Sequence, residues 1–217
     1  MQVSTLLIDL DDTLYPPSTG LWSTIRERMH TYMTERMGIE PALADRLRPH
    51  FLETYGTNLR GLQHEFEVDT DDYLAYVHNL PLSEYIQPNP ELRQMLLSLP
   101  QKRWVFTNAD QPHAERVIKV LQLEGCFDGI IDVRAINFLN KPVPEAYMKA
   151  LQIAKVEHPS DCLFLDDALR NLLPAKRLGF HTALVNPDVE NNGADLHLAY
   201  LIDLRQAAPE LWEMKKC

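Results

Sequence analysis

The stretch LLIDLDDTLY sets Asp9, Asp11 and Asp12 directly on the end of an apolar run. Carboxylates in such a place are costly unless something cationic binds them, and a metal ion is the obvious candidate. Further along, Thr107 and Asn108 follow WVF, Lys141 stands between Asn140 and Pro142, and Asp166 and Asp167 close the run CLFL. Any one of these could be a helix cap or a loop residue. Together they offer acidic, hydroxyl and cationic groups at four strand ends. Carboxylates from two strands are hard oxygen ligands suited to Mg2+, which binds through one or two carboxylates, waters and a substrate phosphate. A carboxylate can also attack phosphorus and split hydrolysis into two displacements. Mg2+ and Lys141 would offset the repulsion between the two anions. A second acid, Asp11, could protonate the leaving oxygen and later activate water, with a pKa above that of Asp9, which faces the metal. Asp12, Thr13 and the prolines after Tyr15 allow the backbone to turn beyond Asp11.

These groups need a scaffold that presents strand ends on one rim. Apolar, strand-length runs occur at residues 6–10, 104–106, 130–133, 162–165 and 181–185. Helical periodicity fills the gaps: Leu92, Met95, Leu96 and Leu99 after Asn89 and Pro90; Ala114, Val117, Ile118 and Leu121 up to Gly125 as a C-cap; and Tyr147, Ala150, Leu151 and Ala154. Strands that are apolar on both faces and alternate with helices predict an α/β three-layer sandwich around a mostly parallel, Rossmann-like sheet. Its site would lie beyond the carboxyl ends of the strands. Between the first and second strands the pattern is helical only, with Trp22, Ile25, Met29, Tyr32 and Met33, then Leu43, Leu47 and Phe51, then Tyr73, Tyr76, Val77 and Leu80. We therefore expect a catalytic core of residues 1–14 and 88–217 and an all-helical cap of residues 15–87, inserted after the first strand and hinged near Pro16 and Pro88 as a lid.

The 217 residues carry a net charge of −10, which argues against a nucleic-acid polymer or an anionic membrane surface as partner. Cys126, Cys162 and Cys217 are odd in number and far apart, so neither a disulfide framework nor a zinc knuckle is expected; a reducing cytoplasm fits, and no run approaches the length of a membrane span. GxGxxG, GxxxxGK[ST], GxSxG and HExxH are all absent.

The motifs DxDxT at Asp9, the Thr107 signal, Lys141 and the Asp166/Asp167 pair resemble, in order, the four motifs of the haloacid dehalogenase superfamily of phosphatases. More narrowly, LYPPSTGLW, YGTNLRGLQ, DDYLAYVHNLP, FTNAD, NKPVPEAY and FLDDALRNLLPAKRLG resemble the pyrimidine 5′-nucleotidase branch, whose members act on UMP and CMP. The resemblance implies a Mg2+-dependent phosphomonoesterase with Asp9 as nucleophile and Asp11 as general acid and base. Thr107, Asn108 and Lys141 would hold the phosphate, and Lys141 would also steady Asp9. Metal would be held by Asp9, the Asp11 carbonyl and Asp166, which stands thirteen residues before Gly179, with Asp167 in a water-mediated role. Asn171 falls where many relatives carry another Asp. Dehalogenating members lack the acid two positions after the nucleophile. Alternatives are a phosphatase for another small phosphometabolite (phosphoglycolate, a sugar phosphate, pyridoxal phosphate), a sugar-phosphate mutase, and an idle phosphometabolite-binding protein. Arg60, His64, Tyr55, Phe66, Tyr73 and Tyr76 could face a base or ribose, but aromatics at helical spacing are more often core. His113 either faces the site or starts its helix.

Overall fold

The computed structural model describes residues 2–213, so Cys217 lies outside the described residues; Cys126 and Cys162 are free and buried. Six strands form one sheet in the order β3-β2-β1-β4-β5-β6, all neighbours parallel: β1 (Thr5–Ile8), β2 (Lys102–Phe106), β3 (Gly129–Ile131), β4 (Cys162–Asp166), β5 (His181–Val185) and β6 (Leu196–Leu198). Alternation along the central strands builds two separate apolar layers. Leu6 and Ile8 pack, with Val105, Leu163 and Leu165, against Leu92, Met95 and Leu96 on one face. Leu7, Phe106 and Phe164 meet Tyr147, Ala150 and Leu172 on the other. The result is the three-layer α/β sandwich expected from buried parallel strands.

Helices α1 (Leu21–Thr31), α2 (Pro41–Thr54), α3 (Asn58–Glu65) and α4 (Thr70–His78) separate β1 from β2, and α1 runs on through a π-helical turn at Tyr32–Arg36. Tyr32, Met33, Phe51, Leu62, Tyr73 and Val77 form a third apolar cluster here. Leu21 and Ile25 belong instead to the sheet-side cluster, together with Leu80, Leu82 and Ile86. Beyond β2's leading helix α5 (Pro90–Ser98) come α6 (Gln111–Val120), α7 (Pro144–Ala154), α8 (Leu169–Arg177) and the short α9 (Leu204–Ala207).

Several boundaries differ from the sequence reading. β1 ends at Ile8 because Asp9 N–H makes the last ladder bond, to Leu165 O at 2.9 Å, before the chain turns. β3 stops at Ile131, where the Asp132 carboxylate accepts from Gln111 N and Ala135 N. α6 ends at Val120 rather than at a Gly125 cap, with Gln122 at φ 57 turning the chain first. α3 and β6 were not expected. α3 lacks a regular apolar stripe, and Gly61 sits inside it because an added Cβ would fall within 2.1 Å of the Phe51 ring. β6 has only three residues, too few for a period of two to show.

Candidate active site

The chain turns directly after β1. Asp12 takes φ 58, Leu14 N–H bonds Leu10 O at 2.9 Å, and Asp9 and Asp11 come to line one cavity. Tyr15 Oη donates to Asp11 Oδ1 at 2.6 Å. His113, in the first turn of α6, reaches the same oxygen at 2.9 Å through Nε2. That settles its two sequence readings: it starts its helix and it also faces the site.

Lys141 is 1% exposed and spends all three of its N–H bonds, on Asp9 Oδ1 at 2.6 Å, Asp166 Oδ2 at 2.7 Å and Phe106 O at 2.9 Å. Its ammonium also lies 5.2 and 5.3 Å from the ring centres of Phe106 and Phe164. Asn108 lines the cavity and also grips the backbone of the neighbouring loop: Nδ2 donates to Lys141 O and Oδ1 accepts from Lys141 N, at 3.0 and 2.8 Å. Asn108 thus holds the Lys141 loop in place. Thr107 Oγ1 accepts from Ala109 N at 3.0 Å. From the other side Asn140 Nδ2 donates to Tyr55 O, and Gly56, at φ 82, approaches so closely that a Cβ there would sit 2.4 Å from Asn140 Nδ2. Only glycine fits between that loop and the helical insertion.

Asp166, which ends β4, and Asp167, which follows it, differ in their surroundings. Asp166 is fully buried, and its oxygens already accept from Lys141 Nζ, Asn171 Nδ2 and Ala168 N. Asp167 lines the cavity and has no side-chain hydrogen bond among the described residues. One oxygen each from Asp9, Asp166 and Asp167 lie within 4.8 Å of one another. Around the single Lys141 ammonium these three carboxylates carry two negative charges in excess, the charge of one divalent cation. Burial, with Asp166 adding to it, pushes Asp9 up despite Lys141, and burial with Asp166, Asp9 and Asp12 pushes Asp167 up. Lys141 is driven up by its two aspartates against the effect of burial, so it stays charged. Asn171 Oδ1, buried beside Asp166, has no hydrogen-bond partner among the described residues. The donor set is hard oxygen throughout and fits Mg2+ or a similar ion.

Protein groups alone shift Asp9 and Asp11 in opposite directions. Burial raises Asp11, but His113, Tyr15 and His78 outweigh it and hold this carboxyl below the usual range, while Asp9 is raised. The sequence reading had placed a dication's field on Asp9 and had not found the two donors on Asp11.

The cavity measures about 500 Å3. Its core wall is Asp9, Asp11, Thr107, Asn108, Lys141 and Asp167; its insertion wall includes Trp22, Arg26, Arg48, Asn58, Tyr73 and His78. Of the six insertion residues suggested for a base or ribose, only Tyr73 lines it. Tyr55 bonds Glu65 and stacks on His64, Tyr76 packs against Tyr32, Arg60 reaches Gln63, and Phe66 borders a separate depression. Arg26, Arg48 and His78 carried no spacing signal that set them apart.

The profile of the haloacid dehalogenase-like hydrolases matches residues 3–179. Phosphate metabolism protein 8 of Saccharomyces cerevisiae is 29% identical over 187 residues, 79% of this chain but only 58% of the length of that yeast relative. Pyrophosphatase PpaX of Bacillus thuringiensis is 24% identical over 86% of this chain and 84% of its own. YfnB of Bacillus subtilis, in a magnesium-bound crystal form, superposes with a TM-score of 0.65 over 95% of this chain and 98% of its own at 15% identity, a likeness of fold alone. No helix among the described residues is long and apolar enough to cross a membrane.

Proposed function

The chain belongs to the haloacid dehalogenase-like hydrolases, and we propose that within them it is a Mg2+-dependent phosphomonoesterase whose substrate is a pyrimidine nucleoside monophosphate. The observation that carries the chemistry is the cluster of Asp9, Asp166 and Asp167 around one fully engaged lysine, with a second acid, Asp11, on the same cavity. Asp9 and Asp167, with the Asp11 carbonyl, would hold the metal, and Asp166 would hold Lys141 and Asn171. When bound, Mg2+ supplies charge neutralisation to the phosphate and to the attacking carboxylate. Lys141 fixes one Asp9 oxygen, and Asp9 attacks phosphorus as the bond to the leaving oxygen breaks. Asp11 gives its proton to that oxygen, an incoming phosphate dianion having raised its pKa by like-charge repulsion. In the second half Asp11 takes a proton from water, the water oxygen bonds phosphorus, and the Asp9–phosphorus bond breaks to release inorganic phosphate.

The pyrimidine assignment rests on the nucleotidase-like segments through the insertion and on a cavity of a size that takes a mononucleotide. One observation favours a second reading. Arg26 and Arg48 line the insertion wall with no hydrogen bond or ion pair among the described residues, and burial, with Arg26 beside it, lowers the pKa of Arg48. A substrate with a second anionic group, such as phosphoglycolate or pyrophosphate, would suit them; the name of the PpaX relative is in keeping with this. The test is phosphate release, with Mg2+ and with EDTA, from UMP, CMP, AMP, GMP, phosphoglycolate, pyrophosphate, pyridoxal phosphate and sugar phosphates. Mg2+-dependent release strongest from UMP and CMP is expected. A preference for doubly anionic substrates would transfer the assignment to the second reading, and silence across the panel would refute both.

A further inference from the structure

Two donors converge on Asp11 Oδ1, Tyr15 Oη at 2.6 Å and His113 Nε2 at 2.9 Å, and Oδ2 has no partner among the described residues. A carboxylate only accepts, so His113 Nε2 carries a hydrogen. With both lone-pair directions of Oδ1 occupied, the carboxyl plane is fixed and a proton on this acid must sit on Oδ2. His113 is 1% exposed, and its other nitrogen is buried without a hydrogen-bond partner among the described residues. Its one side-chain hydrogen bond among the described residues is the contact with Asp11. The ring is held from behind by His78, the last residue of α4, stacked on it at 4.1 Å between centres and 16° between planes. His78 in turn lies 3.0 Å from Asp110, off the line of a hydrogen bond, and its carbonyl accepts from Arg116 of α6 at 2.8 Å. Thus the helical insertion, through His78, sets the ring that sets the acid.

We propose that His113, backed by His78, is a positioning residue that orients Asp11 so that Oδ2 delivers the proton to the leaving oxygen. This rests on the phosphatase reading above. Its signature is leaving-group dependence. An alkoxide must be protonated as it departs, whereas p-nitrophenolate departs without help. The ratio kcat/KM reports only steps through transfer of the phosphoryl group to Asp9, so later use of Asp11 as base does not enter it.

The experiment compares kcat/KM for the best alkyl phosphate from the panel and for p-nitrophenyl phosphate, in wild type and in His113→Leu, His113→Gln and His113→Asn, with circular dichroism as a check on folding. Gln can place an amide N–H near the Nε2 position, and Asn is too short. We expect His113→Leu and His113→Asn to lose about 30-fold or more on the alkyl ester and under about 3-fold on p-nitrophenyl phosphate. His113→Gln should stay within about 3-fold of wild type on both. If His113→Leu does not fold, the Gln and Asn pair alone carries the comparison. Equal losses on the two substrates, or Gln no better than Asn, would overturn the proposal. Wild type inactive on every substrate would instead overturn the phosphatase reading on which it rests.

Discussion

Two lysines in this molecule reach aspartates at nearly the same distance and in opposite surroundings. At the rim of the sheet, Lys141 Nζ lies 2.6 Å from Asp9 and 2.7 Å from Asp166, all but out of contact with solvent. Beside the β5–β6 connection, Lys176 Nζ lies 2.7 Å from Asp195, with side chains 41% and 31% exposed. Geometry cannot rank them. The outer pair balances its charge one for one, shares its acid with Thr182 N and Oγ1, and needs nothing more. The inner lysine faces more carboxylate than it can neutralise, and the desolvation of these groups is not repaid by the pair alone. A fold retains such an arrangement where the imbalance has a use.

The largest effect that would sharpen this contrast comes from Lys141→Met. Removing the ammonium leaves Asp9 and Asp166 buried against each other, so we expect the metal-free protein to lose about 3 kcal/mol of unfolding free energy. Phosphate release should fall by about 1,000-fold, the scale of a lost electrostatic stabiliser at a reacting anion. Urea unfolding and single-substrate kinetics read the two. Loss of activity below about 10-fold would make the inner pair no more than a buried version of the outer one.

A smaller effect separates the acids from each other. Mg2+ at about 100 times its dissociation constant should stabilise wild type by about 2.7 kcal/mol, read as a rise in Tm. Asp167→Asn should abolish most of that rise, because its carboxylate is the one without a protein partner. In Asp195→Asn the Mg2+ shift should be unchanged. A shift that survives Asp167→Asn and disappears only in Asp166→Asn would restore the order expected from the Gly179 interval.

That interval shows where the sequence stops being informative. Asp9, Asp11, Thr107 and the Asp166/Asp167 pair stood out because short polar residues at the ends of buried strands have few other reasons to be there. Which acid of the pair stays free was not legible, because it depends on Asn171 and Ala168 capturing Asp166. His113 could be read two ways, since a histidine on the buried face of an amphipathic helix looks the same whether it meets an apolar neighbour or Asp11. The insertion wall was the least legible. Tyr55, Phe66 and Tyr76 have the spacing of a recognition surface but pack their rings against Phe51 and Tyr32, while Arg26 and Arg48 look like ordinary solvated charges until the fold sets them on the wall of a cavity.

The smallest expected effect belongs to the outer pair, and its sign follows from the direction of the Asp195 shift. Burial raises this carboxyl slightly, but Lys176 and the two Thr182 donors outweigh it and hold the pKa below the ordinary value near 3.9. The folded protein therefore binds the proton less readily than the unfolded chain, and stability rises with pH between the two values. The contribution is complete above the unfolded pKa and is lost as pH falls through the folded one. Partial exposure screens it to under about 1 kcal/mol. In urea melts at pH 7, 5, 4 and 3, the difference in midpoint between wild type and Asp195→Asn should hold steady down to about pH 5 and shrink below about pH 4. A difference that does not change with pH would mean that the Thr182 hydrogen bonds, which an asparagine oxygen can still accept, carry the contact and that the lysine adds nothing. The inner and outer lysines would then differ in kind, with charge acting only where water is excluded.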